Sequence, residues 1–181
     1  MNSSFILWQA HPSTPDISTE FVRDLNFYAA HHLSPYPGRF RGDGNDYDVM
    51  ITGTEHLPPK HHEVQTLMGD FIERLKYLNK SEAPSLAAAY ALWRLNWIHP
   101  FAEGNGRTSR ATSYFVLCQR YGKWFPGTPV LELIRRNRDE YCQLLAAADK
   151  TVDTTGMADL IPIQQFLERL LVEQLESVAG R

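Results

Sequence analysis

Twelve residues near the middle of the chain, "HPFAEGNGRTSR" from His99 to Arg110, concentrate side chains that can do chemistry together. A Gly-Asn-Gly turn that opens a helix aims several backbone N–H groups in one direction. With the positive end of the helix, the N–H groups of Gly104, Asn105 and Gly106 form an anion site suited to phosphate. Arg107 and Arg110 stand one turn apart and share a helix face. Two guanidinium groups beside an anion site suit a polyphosphate better than a lone phosphate. Glu103 precedes the turn, and its carboxylate repels bound phosphates unless a cation lies between. Mg²⁺ takes one or two carboxylates plus phosphate oxygens, so Glu103 reads as its protein ligand. His99 titrates near neutrality and can accept a proton from an attacking hydroxyl. Each residue alone has a plainer reading: a helix connection, a solvated glutamate, a structural histidine. Their combination points to Mg²⁺-dependent transfer from a nucleoside polyphosphate to a hydroxyl. It leaves open which phosphorus is attacked.

These residues need two helices and a turn to hold them. A residue before proline is excluded from the right-handed α region, so His99 before Pro100 ends the preceding helix. That helix, expected over 84–98, carries alanine and aromatic residues on most sides and reads as central and buried. The next is expected over 106–121, with Phe101 anchoring the intervening loop in the core. Upstream, a helix is expected from Thr14, with Pro15 in its first turn and Asp16 and Glu20 at its positive end. Its apolar positions are Ile17, Phe21, Leu25 and Tyr28, and "SPYPG" ends it. Val49, Ile51 and neighbouring Thr and Tyr residues, bounded by glycines and Pro58-Pro59, predict a short β-hairpin over 47–57. Val64, Leu67, Met68, Phe71, Ile72 and Leu75 predict a helix over 60–79. After the break at "KWFPGTP", single helices are expected over 130–149 and 160–178. The fold class is all-α, one mainly helical domain with a small β-hairpin flap.

The 181 residues suit one domain with one core, 43% hydrophobic and 22% charged. A single domain over 1–181 is expected, with its core at about 14–149 and a C-terminal helical stretch at about 157–178. A net charge of -3 argues against general nucleic-acid binding. Cys118 and Cys142 have no metal-ligand spacing and read as reduced thiols. The apolar "FILW" run has no basic residue before it, so neither a signal peptide nor a membrane span is expected, and the cytoplasm is the expected location. His56, His61 and His62 read as a solvated surface in preference to a metal site. The C-terminal "FLERLLVEQLESV" reads as a core helix, with an oligomer face as the alternative.

The stretch from His99 to Arg110 resembles the signature of the Fic family, H-P-F-x-[D/E]-G-N-G-R-x-x-R, and matches every fixed position. "PGRFR" followed by "VMITGTEHLPP" resembles the family's lead-in and flap, and "NRDEYCQLLAAAD" its nucleotide-base helix. The resemblance implies a helical fold and AMP transfer from ATP to a hydroxyl of a target protein. It implies His99 as general base, Glu103 as the Mg²⁺ ligand, and Gly104, Asn105 and Gly106 as the anion hole. By the same resemblance, Arg107 and Arg110 are expected to hold the leaving pyrophosphate portion. The resemblance also implies that Val49, Met50, Ile51, Thr52, Gly53 and Thr54 form a flap that docks the target segment by strand-like pairing. Many members carry Tyr-Tyr and a later Asn on the base helix; the corresponding residues here are Tyr141, Cys142 and Asp149. Nucleotide preference therefore stays open, as does transfer of UMP or a phosphoryl group. Many members also carry an inhibitory helix of pattern [S/T]-x-x-x-E-[G/N], and neither terminal region matches it. A separate antitoxin-like inhibitory protein, with this chain as the toxin component, is one reading of that lack.

Overall fold

The computed structural model describes residues 16–179. Among them the chain forms seven α-helices: α1 (Thr19–Ala30), α2 (Val64–Ser81), α3 (Pro84–Ile98), α4 (Asn105–Tyr121), α5 (Val130–Arg136), α6 (Arg138–Thr155) and α7 (Ile161–Ala179). A single 3₁₀ turn, His61–Glu63, leads into α2. None of these helices is long and apolar enough to cross a membrane.

The α3 helix is the axis of the fold. Ala87, Ala88, Ala89 and Ala91 are fully buried, and Leu92, Leu95 and Ile98 beside them are buried as well. Small side chains let neighbours approach closely, and α3 packs against α2, α4, α6 and α7. Its tightest partner is α4, where Ser113 Oγ donates to the Ala88 carbonyl at 2.9 Å. On the far side α7 buries Ile163, Phe166, Leu167 and Leu170, so its inward face is core, as its spacing predicts. The fully buried Gln174 continues that face. Its amide donates to Tyr114 OH and the Phe125 carbonyl and accepts from Val130 N, which ties down the loop between α4 and α5.

Three expectations from the sequence need correction. The first helix begins at Thr19, because Ser18 supplies the N-cap and accepts from Phe21 N at 3.1 Å. Asp16 and Ile17 lie before it, and Thr14 and Pro15 fall outside the described residues. The helix expected over 130–149 is two helices. The break is at Asn137 (φ −100°, ψ 41°), whose Nδ2 donates to the Leu133 carbonyl. A short amide side chain offers the backbone an alternative to the helical ladder, which apolar spacing does not reveal.

The third correction is the hairpin. No strand forms among the described residues, and the segment 44–60 is an irregular loop with a turn at Thr52–Gly53. The β preference of Val and Ile reflects packing against a neighbouring strand, and two strands alone are marginal. Here Met50 is 86% and Leu57 75% exposed, so no apolar face is buried to stabilise a ladder. Side chains hold the loop instead. Asp48 accepts from His61 N at 2.9 Å and Lys60 Nζ at 3.0 Å, and the His56 ring bonds the Trp97 carbonyl through Nε2 at 2.8 Å.

Candidate active site

The loop between α3 and α4 carries the singled-out residues, and both of its ends are fixed by buried contacts. At the first end α3 stops at Ile98, and His99 takes the left-handed conformation (φ 50°, ψ 57°). It is the one non-glycine residue with positive φ among the described residues. Such a conformation is uncommon outside glycine, and histidine is among the residues enriched there. Phe101 is buried and packs against Phe40 in a tilted arrangement, with ring centroids 5.1 Å apart. It anchors the loop as expected.

Asn105 closes the turn. Its Oδ1 accepts from Phe101 N at 2.9 Å, and its Nδ2 donates to the Phe101 carbonyl at 2.8 Å. Both polar ends of this buried amide are therefore spent on the loop itself. Its contribution to an anion site is limited to its backbone N–H. Gly104 is the N-cap of α4 at φ 81°, with no side chain capping the helix. The N–H groups of Asn105 and Gly106 accordingly donate to no described group. They remain free at the positive end of a seventeen-residue helix.

Three charged side chains surround that end. Glu103 is exposed, and its carboxylate makes no hydrogen bond or ion pair with a described residue. Arg107 is exposed and Arg110 half-buried on the same face of α4. No described carboxylate pairs with either arginine. Burial lowers the pKa of Arg110, and the charges of Arg107, Arg138 and Arg135 push it the same way, while Tyr141 opposes them. The guanidinium stays charged at neutral pH. Arg107 and Arg110 thus stand next to free N–H groups with no carboxylate paired to either among the described residues, whereas Arg135 is held by Glu132.

The His99 ring is half-buried, and its Nδ1 is buried without a hydrogen bond of good geometry. Burial lowers its pKa to about 4, Arg41 and His56 add to the effect, and the Asn96 carbonyl opposes it. At neutral pH the ring is uncharged and able to accept a proton.

The residues matched to the base helix separate. Tyr141 is buried under α4, where its hydroxyl accepts from Asn96 Nδ2 at 2.8 Å close to Arg110. Asp149 lies further along α6, and its carboxylate accepts from Trp93 Nε1 at 2.8 Å. Cys142 is exposed. The loop residues Val49 to Thr54 make no strand pairing, and no group of three metal-ligating side chains occurs among the described residues.

Sequence reasoning missed two residues that hold the loop. Asn26 on α1 is buried and donates through Nδ2 to the Glu103 carbonyl at 2.8 Å and to Thr108 Oγ1 at 3.2 Å. Its Oδ1 accepts from Gly38 N at 2.9 Å. Arg41 is buried and donates from Nε to the His99 carbonyl at 2.9 Å. Only the "PGRFR" stretch as a whole hinted at either of them.

Comparison with known proteins agrees with this architecture. The family model described as the Fic/DOC family matches residues 16–117. The "Protein adenylyltransferase Fic" of Drosophila persimilis is 30% identical over 156 residues, covering 84% of this chain and 27% of that protein. The protein of the same name from Aedes aegypti is 29% identical over 155 residues, covering 83% of this chain and 27% of its own length. The chain thus spans about a quarter of the length of these curated relatives. Among solved structures, a Fic family protein from Desulfovibrio desulfuricans superposes with a TM-score of 0.74 at 24% identity, over 98% of this chain and 51% of that one. BepC from Bartonella tribocorum, solved with bound AMPPNP, superposes with a TM-score of 0.64 at 14% identity, over 92% of this chain and 80% of its own. A helical loop site, a family match across both helices that frame it and relatives aligned over most of its length all place the chain in the Fic/DOC family.

Proposed function

We propose that this chain is a nucleotidyltransferase that moves AMP from ATP to a hydroxyl side chain of a target protein. The carrying observation is one helix N-terminus where, among the described residues, two N–H groups, two arginines and a carboxylate have no partner and an uncharged histidine stands four residues before that carboxylate. The name borne by the curated relatives described above, protein adenylyltransferase, supports the same reading.

In this reading the N–H groups of Asn105 and Gly106, at the turn begun by Gly104, bind phosphate oxygens. Arg107 and Arg110 hold the rest of the polyphosphate. His99 Nδ1 is buried, so the ring offers Nε2 to the target hydroxyl. The hydroxyl oxygen bonds the α-phosphorus as its proton passes to Nε2. The bond from that phosphorus to the bridging oxygen breaks, and pyrophosphate leaves. A single free carboxylate fits Mg²⁺, which binds in such sites through one or two carboxylates with phosphate oxygens and water completing its shell. Glu103 would hold it, and when bound the ion offsets charge on the polyphosphate. The open loop 44–60, with Val49, Met50, Ile51, Thr52, Gly53 and Thr54 at its exposed end, would receive the target segment by backbone pairing. Residues 1–181 act as one domain in this scheme.

Nucleotide preference would be set along α6. Tyr141 is buried and Asp149 is engaged by Trp93, so base contacts differ from those of relatives with Tyr-Tyr and Asn there. An inhibitory partner that presents a carboxylate to Arg110, which pairs with no described carboxylate, would regulate the site. The direct test is incubation with α-labelled ATP, CTP, GTP and UTP in Mg²⁺. The reading expects ATP to label the chain or proteins in a lysate. Silence with all four nucleotides would sink it.

A further inference from the structure

Three consecutive carbonyls at the end of α3 accept hydrogen bonds from a single residue. Arg41 donates from Nη2 to Ile98 at 3.2 Å, from Nε to His99 at 2.9 Å and from its backbone N–H to Pro100 at 2.8 Å. Nη2 also donates to the Pro59 carbonyl at 3.0 Å, at the far end of the loop 44–60. The side chain has no exposure to solvent, and the nearest carboxylate, Asp48, is 3.8 Å away. The last carbonyls of a helix lack intrahelical partners, and a cation there also complements the helix dipole. Histidine in a left-handed conformation carries a backbone cost that surrounding contacts must hold in place. Arg41 supplies those contacts on the residue itself and on both its neighbours.

We propose that Arg41 is the positioning residue for His99: its fork fixes the left-handed turn from which the imidazole projects and ties that turn to the base of the loop 44–60. The proposal rests on His99 acting as the proton acceptor. A planar guanidinium can bond several carbonyls at fixed angles, whereas a lysine ammonium is a point charge on a flexible stem. Arg41→Lys therefore keeps the charge and loses the geometry, and Arg41→Met loses both. The titratable groups that face His99 are Arg41 and His56, and both oppose its protonation.

The test measures three quantities on wild type and both variants: Mg²⁺-ATP affinity by calorimetry, kcat and KM for AMP transfer, and the His99 ring by NMR titration. Displacement of a reacting group by about 1 Å can cost roughly 10²-fold in rate. Arg41→Lys is expected to bind ATP within about threefold of wild type yet lose roughly 10² in kcat, which saturating substrate does not restore. In Arg41→Met the His99 ring titrates at a higher pH than in wild type, because a nearby cation is gone. Wild-type kcat in Arg41→Lys, or equal losses in ATP affinity and kcat, would overturn the proposal. So would an unchanged His99 titration in a folded Arg41→Met, or failure of both variants to fold. If wild type transfers nothing, the reaction assigned above has failed on its own, and the ring titration still decides whether Arg41 governs His99.

Discussion

Gly104→Ala tests whether the loop is held as tightly as its contacts imply. Gly104 sits at φ 81°, where an alanine costs about 1–2 kcal/mol. A methyl there would also stand 3.0 Å from Ala30 Cβ and 3.1 Å from Asn26 Nδ2. Neither neighbour yields easily. Ala30 is a buried residue at the end of α1, and Asn26 is engaged with Glu103, Thr108 and Gly38. Overpacking of this kind adds about 1–3 kcal/mol. Gly156 supplies the control, because at φ 76° an added methyl meets nothing within 4 Å. Gly156→Ala should lose only the backbone cost, about 1–2 kcal/mol, and Gly104→Ala about 2–5 kcal/mol. Each kcal/mol lowers the melting temperature of a domain this size by about 2–4 °C. Urea titration and thermal melts of both variants beside wild type give the comparison. If Gly104→Ala is no more destabilised than Gly156→Ala, α1 does not clamp the loop, and the positioning argument for Glu103 fails.

Other outcomes follow from the same contacts. Gly106→Ala points its methyl at the flexible end of Arg110, 3.3 Å from Nη1. It should leave stability unchanged or raised by up to about 1 kcal/mol through better helix propensity, while weakening ATP binding at least severalfold; equal affinity by calorimetry would contradict the anion site. Asn26→Leu leaves the Glu103 carbonyl and Gly38 N–H without their partner, at about 1–3 kcal/mol each, so denaturation should show a loss of about 2–6 kcal/mol; a loss under about 0.5 kcal/mol would contradict it. His99 has a folded pKa of about 4, below the 6.5 of a free ring, so its neutral form supports the fold fully above pH 6.5. That support is lost as pH falls toward 4, at most roughly 3 kcal/mol, and the stability gap between wild type and His99→Ala should shift by that amount between pH 7 and pH 4. A gap that stays constant with pH would mean the ring titrates normally.

The site was legible where its chemistry is contiguous. Twelve residues in a row carry the histidine, the carboxylate, the turn and both arginines of the candidate site, and Pro100 marks the end of the helix before them. Helix α3 was read to its last residue because its alanines and its flanking prolines are local signals. The supports were not legible, because they act across long separations. Asn26 meets Glu103 from 77 residues away and Arg41 meets His99 from 58, and nothing in the composition around either marks it as buried. The hairpin and the unbroken helix over 130–149 failed for a related reason. Strand preference needs a partner strand that Met50 and Leu57 do not find, and Asn137 breaks a helix whose apolar spacing runs straight through it.

The central claim is transfer of the α-phosphoryl group with its nucleoside to a hydroxyl, with His99 as the proton acceptor. Parallel reactions with α-labelled and γ-labelled ATP, each with wild type and His99→Ala in Mg²⁺, test it most directly. The account predicts label on protein from α-labelled ATP only, and a loss of about 10²–10⁴ in rate for His99→Ala with ATP affinity nearly unchanged. Label arriving from γ-labelled ATP, or transfer by His99→Ala at the wild-type rate, would contradict it.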